Sequence, residues 1–217
     1  GEEVEIEDCD VVWSEYVDAQ VTASVDSTIH QEGTGCLKLV IPASGISAGD
    51  ILASQVVGVD LRECSEVEIW VYSTIALDAG DVDLVLSATA LGATTTESLD
   101  IPATSANTWT RHVITLANPQ SDSAIISVAF VMTVDKGALT LYVDHINAVR
   151  DSSRVYKDLA PDHWGIVRGS TNYFALSYGG LSVTGTNRML RLQGYRALTA
   201  MSADSSTSEV NPDFIVN

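Results

Sequence analysis

Side chains able to do acid–base, nucleophilic or metal chemistry are scattered along this 217-residue sequence, not grouped. His30, His112, His145 and His163 stand alone, with no H-E-x-x-H pair and no nucleophile elbow around a serine. Asp81 and Asp83 alternate along a strand pattern, which places them on one face about 7 Å apart. That separation falls in the range used by paired carboxylates in glycoside hydrolysis. In a chain with 29 Asp and Glu, however, such pairs arise by chance. An acid catalyst would also need a cleft that raises its pKa. Cys9, Cys36 and Cys64 form an odd set without C-x-x-C or a histidine at ligand spacing, which argues against zinc. They read as small buried apolar residues, with one disulfide plus a free thiol as the other arrangement. The expectation is a protein that is not an enzyme.

The chemistry these residue types do support is recognition. Sugar binding needs aromatic faces for pyranose rings, with carboxylates or amides nearby for the hydroxyls. Trp13, Trp70 and Tyr72 are the candidates for ligand binding, with Trp109 and Tyr142 behind them. Trp70 alternates against Ile69 and Val71 and so faces away from them, onto an outer sheet face or under a covering segment. The competing role for all these rings is core and covering contacts. A second constellation is basic. Arg188, Arg191 and Arg196 interleave with Leu190, Leu192 and Tyr195. They either pair with acidic residues of their own chain or meet acidic surfaces of neighbouring subunits, where charge complementarity sets register. Arg168-Gly-Ser170 reads as a turn.

The charge distribution bounds the partners. Lys and Arg number 11 against 29 acidic residues, a net charge of −18. Residues 1–149 hold four basic and 23 acidic residues, a net −19, whereas 150–217 carry a net +1. The acidic part has no basic footprint for nucleic acid and would be repelled by anionic lipid. No apolar run approaches the roughly 20 residues of a membrane-spanning helix. With 46% hydrophobic and 18% charged residues, a packed core is expected.

The elements that must position these side chains are strands. Alternating runs occur at 35–41, 66–72, 81–86, 109–116, 125–132 and 139–149. Weaker runs lie near 11–17, 21–25, 51–59 and 97–101. No helical pattern separates them, so the first 149 residues read as an all-β antiparallel sandwich. Residues 150–217 read as a small docking segment. It has a short helix over Asp151–Leu159, then short strands with Gly-rich turns at Gly165–Arg168, Tyr173–Leu176, Leu181–Thr184 and Met189–Gln193. Asn211, Pro212 and Asp213 have the chemistry of a helix start, so the natural protein is expected to continue past Asn217.

Four short motifs resemble the galactose-binding-like jelly rolls of carbohydrate-binding modules. They are Asp26–Gly33 leading into Gly35-Cys-Leu-Lys-Leu39, Asp60-Leu61 leading to Ile69-Trp-Val-Tyr-Ser73, Thr108-Trp109 before Ile114-Thr-Leu116, and Tyr142-Val-Asp-His-Ile146. The resemblance implies a jelly roll over roughly residues 10–149. It also implies a structural Ca²⁺ between the first and last strands, for which Asp144, Asp10 and Asp8 are the candidate ligands, with Glu7 beside them. The other role for Asp144 is hydrogen bonding to a neighbouring strand. The segment Leu190–Arg196, with Asp204 and Glu209–Val216, is similar to the C-terminal part of tailed-bacteriophage neck or adaptor proteins. That similarity implies a non-catalytic virion protein, at the head–tail connection or as a capsid decoration. It would assemble with other virion subunits and copies of itself through the Arg-bearing segment. The alternative is a secreted or cell-surface carbohydrate-binding module that takes surface glycans and works outside the cell.

Overall fold

A strand with one apolar face must bury that face against another layer, and period-two alternation supplies such faces throughout the first two-thirds of this chain. The computed structural model describes residues 3–151, 160–168 and 173–179. The chain divides into two compact units, Gly1–Arg154 and Val155–Asn217.

The first unit contains ten strands: β1 (Glu3–Glu7), β2 (Thr22–Asp26), β3 (Cys36–Ile41), β4 (Asp50–Val59), β5 (Cys64–Ser73), β6 (Val82–Ser87), β7 (Thr95–Asp100), β8 (Thr110–Thr115), β9 (Ile125–Met132) and β10 (Leu139–Arg150). They form two antiparallel sheets, a jelly-roll sandwich. One sheet runs β2-β3-β10-β5-β8, with β1 also paired to β10, and the other runs β4-β9-β6-β7. Leu37, Leu39, Val67, Ile69, Val71, Leu141 and Val143 face inward from the first sheet. They meet Leu84, Leu86, Val128, Phe130 and Met132 of the second. Each such side chain, fully buried, contributes about 1.5–3 kcal/mol by leaving water.

Strand β10 organises the first sheet. Its residues 139–143 pair with β3, and residues 146–149 pair with β1. Between these stretches its register against β5 shifts at a bulge between Asp144 and Asn147. His145 sits in that bulge with φ of 50°, a left-handed conformation that a non-glycine residue adopts only when its surroundings enforce it. The bulge re-aims the side chains that follow it.

Two local expectations are corrected. Residues 11–17 do not form a strand. They run as coil joined to β4 by one bridge, Ser14 to Ser54, with N–H···O bonds of 2.8 and 2.9 Å. Val11 and Val12 are exposed there, and only Trp13 turns inward. Conversely, Glu3–Glu7 forms β1, which the charged run Glu-Val-Glu-Ile-Glu obscures. Cys9, Cys36 and Cys64 are all buried.

The second unit is described by its hairpin. β11 (Trp164–Val167) pairs antiparallel with β12 (Tyr173–Leu176), after a 3-10 turn at Pro161–His163. The expected helix over 151–159, the strands beyond 180 and the helix start at Asn211 lie outside the described residues. No helix among the described residues is long and apolar enough to cross a membrane.

Candidate functional site

Alternation that sends Val67, Ile69 and Val71 inward sends Glu68, Trp70 and Tyr72 outward on β5. The same logic turns Lys38 on β3 and Tyr142 on β10 to that outer face. Register then lines them up. Tyr142 lies opposite Lys38 on one side and Tyr72 on the other. Trp109, just before β8, continues the row beyond Tyr72. Ring centroids are 5.7 Å apart for Tyr72 and Trp109 and 5.3 Å for Tyr72 and Tyr142. The interplanar angles, 54° and 85°, make this a ridge of inclined rings, not a flat table. All three rings are partly exposed.

The ends of the ridge are pinned by polar contacts. Tyr72 Oη donates to Asn107 Oδ1 at 3.3 Å. Lys38 Nζ sits 5.4 Å from the Tyr142 ring centroid, a cation–π distance, and 3.3 Å from Asp26 Oδ2. The Thr28 hydroxyl and amide, and then Lys38, hold the Asp26 carboxyl down at about 2. That carboxylate in turn raises the Lys38 pKa, so the ammonium stays charged beside the ring.

One step along the strands from the ridge, the same face opens into a cavity of about 130 Å³. Glu3, Glu32, Glu68, Trp70, Arg111 and Asn147 line it. Arg111, opposite Trp70 on β8, hydrogen-bonds Glu68. His145 completes the wall from the bulge. Its Nε2 lies 3.3 Å from Glu32 Oε2 and 2.6 Å from Asn147 Nδ2. With the ring proton on Nδ1, Nε2 accepts from the Asn147 amide. Asn147 Nδ2 also donates to Glu3 Oε2 at 3.3 Å. The Asn147 side chain is 5% exposed, and its Oδ1 has no hydrogen-bond partner.

The loop that delivers Glu32 is held by the carboxylates expected to ligate Ca²⁺. Asp144 Oδ2 accepts the Gln31 and Glu32 amides at 2.6 and 3.0 Å. Asp10 accepts the Thr34 and Gly35 amides at 3.0 and 2.8 Å. Gly33, at φ +64°, passes so close that an added Cβ would lie 2.7 Å from Asp10 Oδ2, so the turn requires glycine. Asp8 Oδ1 accepts the Asp10 amide. Burial pushes the Asp144 carboxyl up, against the pull of its two amide donors. Among the described residues no three His, Cys, Asp or Glu side chains gather as a metal ion needs. Asp144 and Asp10 fasten the loop by hydrogen bonds, and Asp144 Oδ1 is buried without a hydrogen-bond partner.

The remaining candidates separate cleanly. Trp13 is corrected from ligand residue to core residue: it is 1% exposed and stacks on Phe130 at 5.3 Å. Trp70 and Tyr72 both reach the outer face, at the cavity and the ridge. Asp81 and Asp83 are buried and occupied separately, Asp81 with Lys136 and Asp83 with Ser98 Oγ. His112 is buried against Thr104 Oγ1. Arg188, Arg191 and Arg196 lie outside the described residues. Sequence reasoning missed Lys38, Glu3, Glu32, Glu68, Arg111 and Asn147. Only the outward alternation at Glu68 and Trp70 signalled their face.

No protein-family model and no curated protein matches the chain. Solved structures are similar to it at low identity. A family 11 carbohydrate-binding module of the cellulosomal cellulase Lic26A-Cel5E of Clostridium thermocellum aligns with a TM-score of 0.48 and 13% identity, over 69% of this chain and 95% of that one. The CBM22-1–GH10 modules of a Clostridium thermocellum endo-1,4-beta-D-xylanase, complexed with xylohexaose, align with a TM-score of 0.48 and 14% identity, over 69% and 29%. A family 30 carbohydrate-binding module of the Clostridium thermocellum cellulase Cel9D-Cel44B aligns with a TM-score of 0.42 and 12% identity, over 70% and 100%.

Proposed function

We propose that the first unit is a non-catalytic carbohydrate-binding module that holds a single glycan chain on the outer face of its larger sheet. The observation that carries this reading is the row Trp109, Tyr72, Tyr142 and Lys38, drawn from three neighbouring strands and the entry to a fourth, and flanked by a polar cavity. Neighbouring strands lie about 4.8 Å apart, so the row extends roughly 14 Å, enough for about three sugar rings end to end. Apolar ring faces take up the C–H faces of pyranoses, while Lys38, Asn107 and the cavity groups serve the hydroxyls. The inclined rings match a twisted soluble chain better than a flat crystalline surface. A module of this kind works outside the cell, where polysaccharide is met.

The virion-assembly reading depends on the arginines of residues 188–196, and no observation on the sandwich favours it.

The test is titration of wild-type protein and of Tyr72→Ala and Tyr142→Ala against a panel of neutral, acidic and amino-sugar oligosaccharides. Each substitution is expected to weaken binding of the preferred glycan about tenfold, the scale of one lost aromatic contact. Because both rings are partly exposed, the melting temperature should move by only a few degrees. Variants that bind as tightly as wild type would remove the ridge from the site.

A further inference from the structure

The cavity beside the ridge carries a charge pattern that neutral sugars do not require. Glu3, Glu32 and Glu68 line it against one arginine, and Arg111 is already bonded to Glu68. Among the described residues, the Glu3 and Glu32 carboxylates meet the Asn147 amide and His145. The Asn147 side chain is nine-tenths buried in the wall, and its Oδ1 acceptor has no hydrogen-bond partner. Trp70 also lines it, and an indole π-cloud attracts a cation. The site therefore offers acceptors and an indole, and its one arginine is already committed to Glu68. A metal ion does not match it, since the carboxylates among the described residues do not converge to ligand distance. An ammonium does, because its three N–H donors can reach acceptors spread around a cavity.

We infer that this cavity takes the primary ammonium of an amino-sugar residue, so that the preferred ligand is a glycan with free amino groups. The inference rests on the glycan-binding reading and deepens it. Trp70 and Tyr72 alternate along β5 on one face, about 7 Å apart. A sugar ring stacked on Tyr72 thus turns one edge, with its substituent, toward the cavity. The same carboxylates repel uronic and sulfated sugars.

The test compares three soluble probes on the intact chain: a glucosamine hexamer, its fully N-acetylated counterpart and a lysine hexapeptide. Glucosamine hexamer is expected to bind about tenfold or more tightly than the N-acetylated hexamer. High salt should shrink that ratio, since the added attraction is ionic. The double variant Glu3→Gln/Glu68→Gln should bring the ratio within about twofold, with its melting profile checked to confirm folding. Equal or tighter binding of the N-acetylated hexamer overturns the ammonium assignment and leaves the ridge reading standing. Lysine hexapeptide binding as tightly as glucosamine hexamer also overturns it, by showing general attraction to an acidic protein. If neither sugar probe nor any other glycan binds, the glycan reading itself fails, and this inference with it.

Discussion

Trp13→Ala is expected to cost about 3–5 kcal/mol of stability and to lower the melting temperature by about 10 °C or more. The segment from 11 to 17 has no strand pairing beyond the Ser14–Ser54 bridge, so little else docks it. Trp13 is that segment's anchor. It is 1% exposed and stacked on Phe130 at an interplanar angle of 23°. Removing it leaves a cavity against Phe130 that the sheet cannot collapse to fill. Total stabilities of such domains are about 5–15 kcal/mol, so the loss approaches the whole margin. Trp13→Phe should recover most of it, because the indole Nε1 has no hydrogen-bond partner to lose. Urea unfolding of the three proteins checks this. A Trp13→Ala midpoint equal to wild type would show that the coil segment contributes nothing to the core.

The second large effect is with pH. The Asp122 carboxyl is fully buried, and burial, with the Glu97 carboxylate alongside, pushes it up to about 7. Glu97 accepts the Ala117 and Asn118 amides. Burial first, and then the Asp8 charge, also raises Glu7 to about 7. A carboxyl whose folded pKa lies above its unfolded value binds more protons in the folded state between the two. Its stabilising effect is complete below about pH 4 and is lost as pH rises through 7. Each tenfold difference in proton affinity between the folded and unfolded chain is worth about 1.4 kcal/mol, discounted for Glu7 by its solvent contact. The protein should therefore be about 3 kcal/mol more stable at pH 5 than at pH 8. Below pH 5 the trend should reverse. Burial holds His112 below its usual range, so its opposition to acid begins already below about pH 6.5, and Thr28 holds Asp26 at about 2, so its opposition sets in below about pH 4. Asp122→Asn places a permanent donor beside Glu97 and should remove most of the slope between pH 5 and 8. A variant that keeps the full slope would assign the effect elsewhere.

The sandwich is legible in the sequence because its strands alternate. Val67, Ile69 and Val71 read inward from period two alone, and all are fully buried. The outward aim of Trp70 follows from the same count. Alternation fails where backbone leaves the pleat. The coil at 11–17 carries apolar residues for an anchor, not a strand, so its pattern misleads. The cavity is invisible in the sequence for a different reason. It joins β1, the 27–34 loop, β5, β8 and the β10 bulge, and only sheet register and a left-handed His145 bring them together. The carboxylates at 8, 10 and 144 have the oxygen chemistry of metal ligands. The backbone amides that claim Asp10 and Asp144 come from a loop whose position no local pattern encodes.

The central question is where a glycan sits. Backbone amide chemical-shift mapping with the tightest-binding oligosaccharide answers it directly. The largest shifts should cluster at Lys38, Trp70–Tyr72, Trp109–Arg111 and Tyr142–Asn147. Shifts confined to β4, β6, β7 and β9, or none at saturating oligosaccharide, would contradict a binding site on the outer face of the larger sheet.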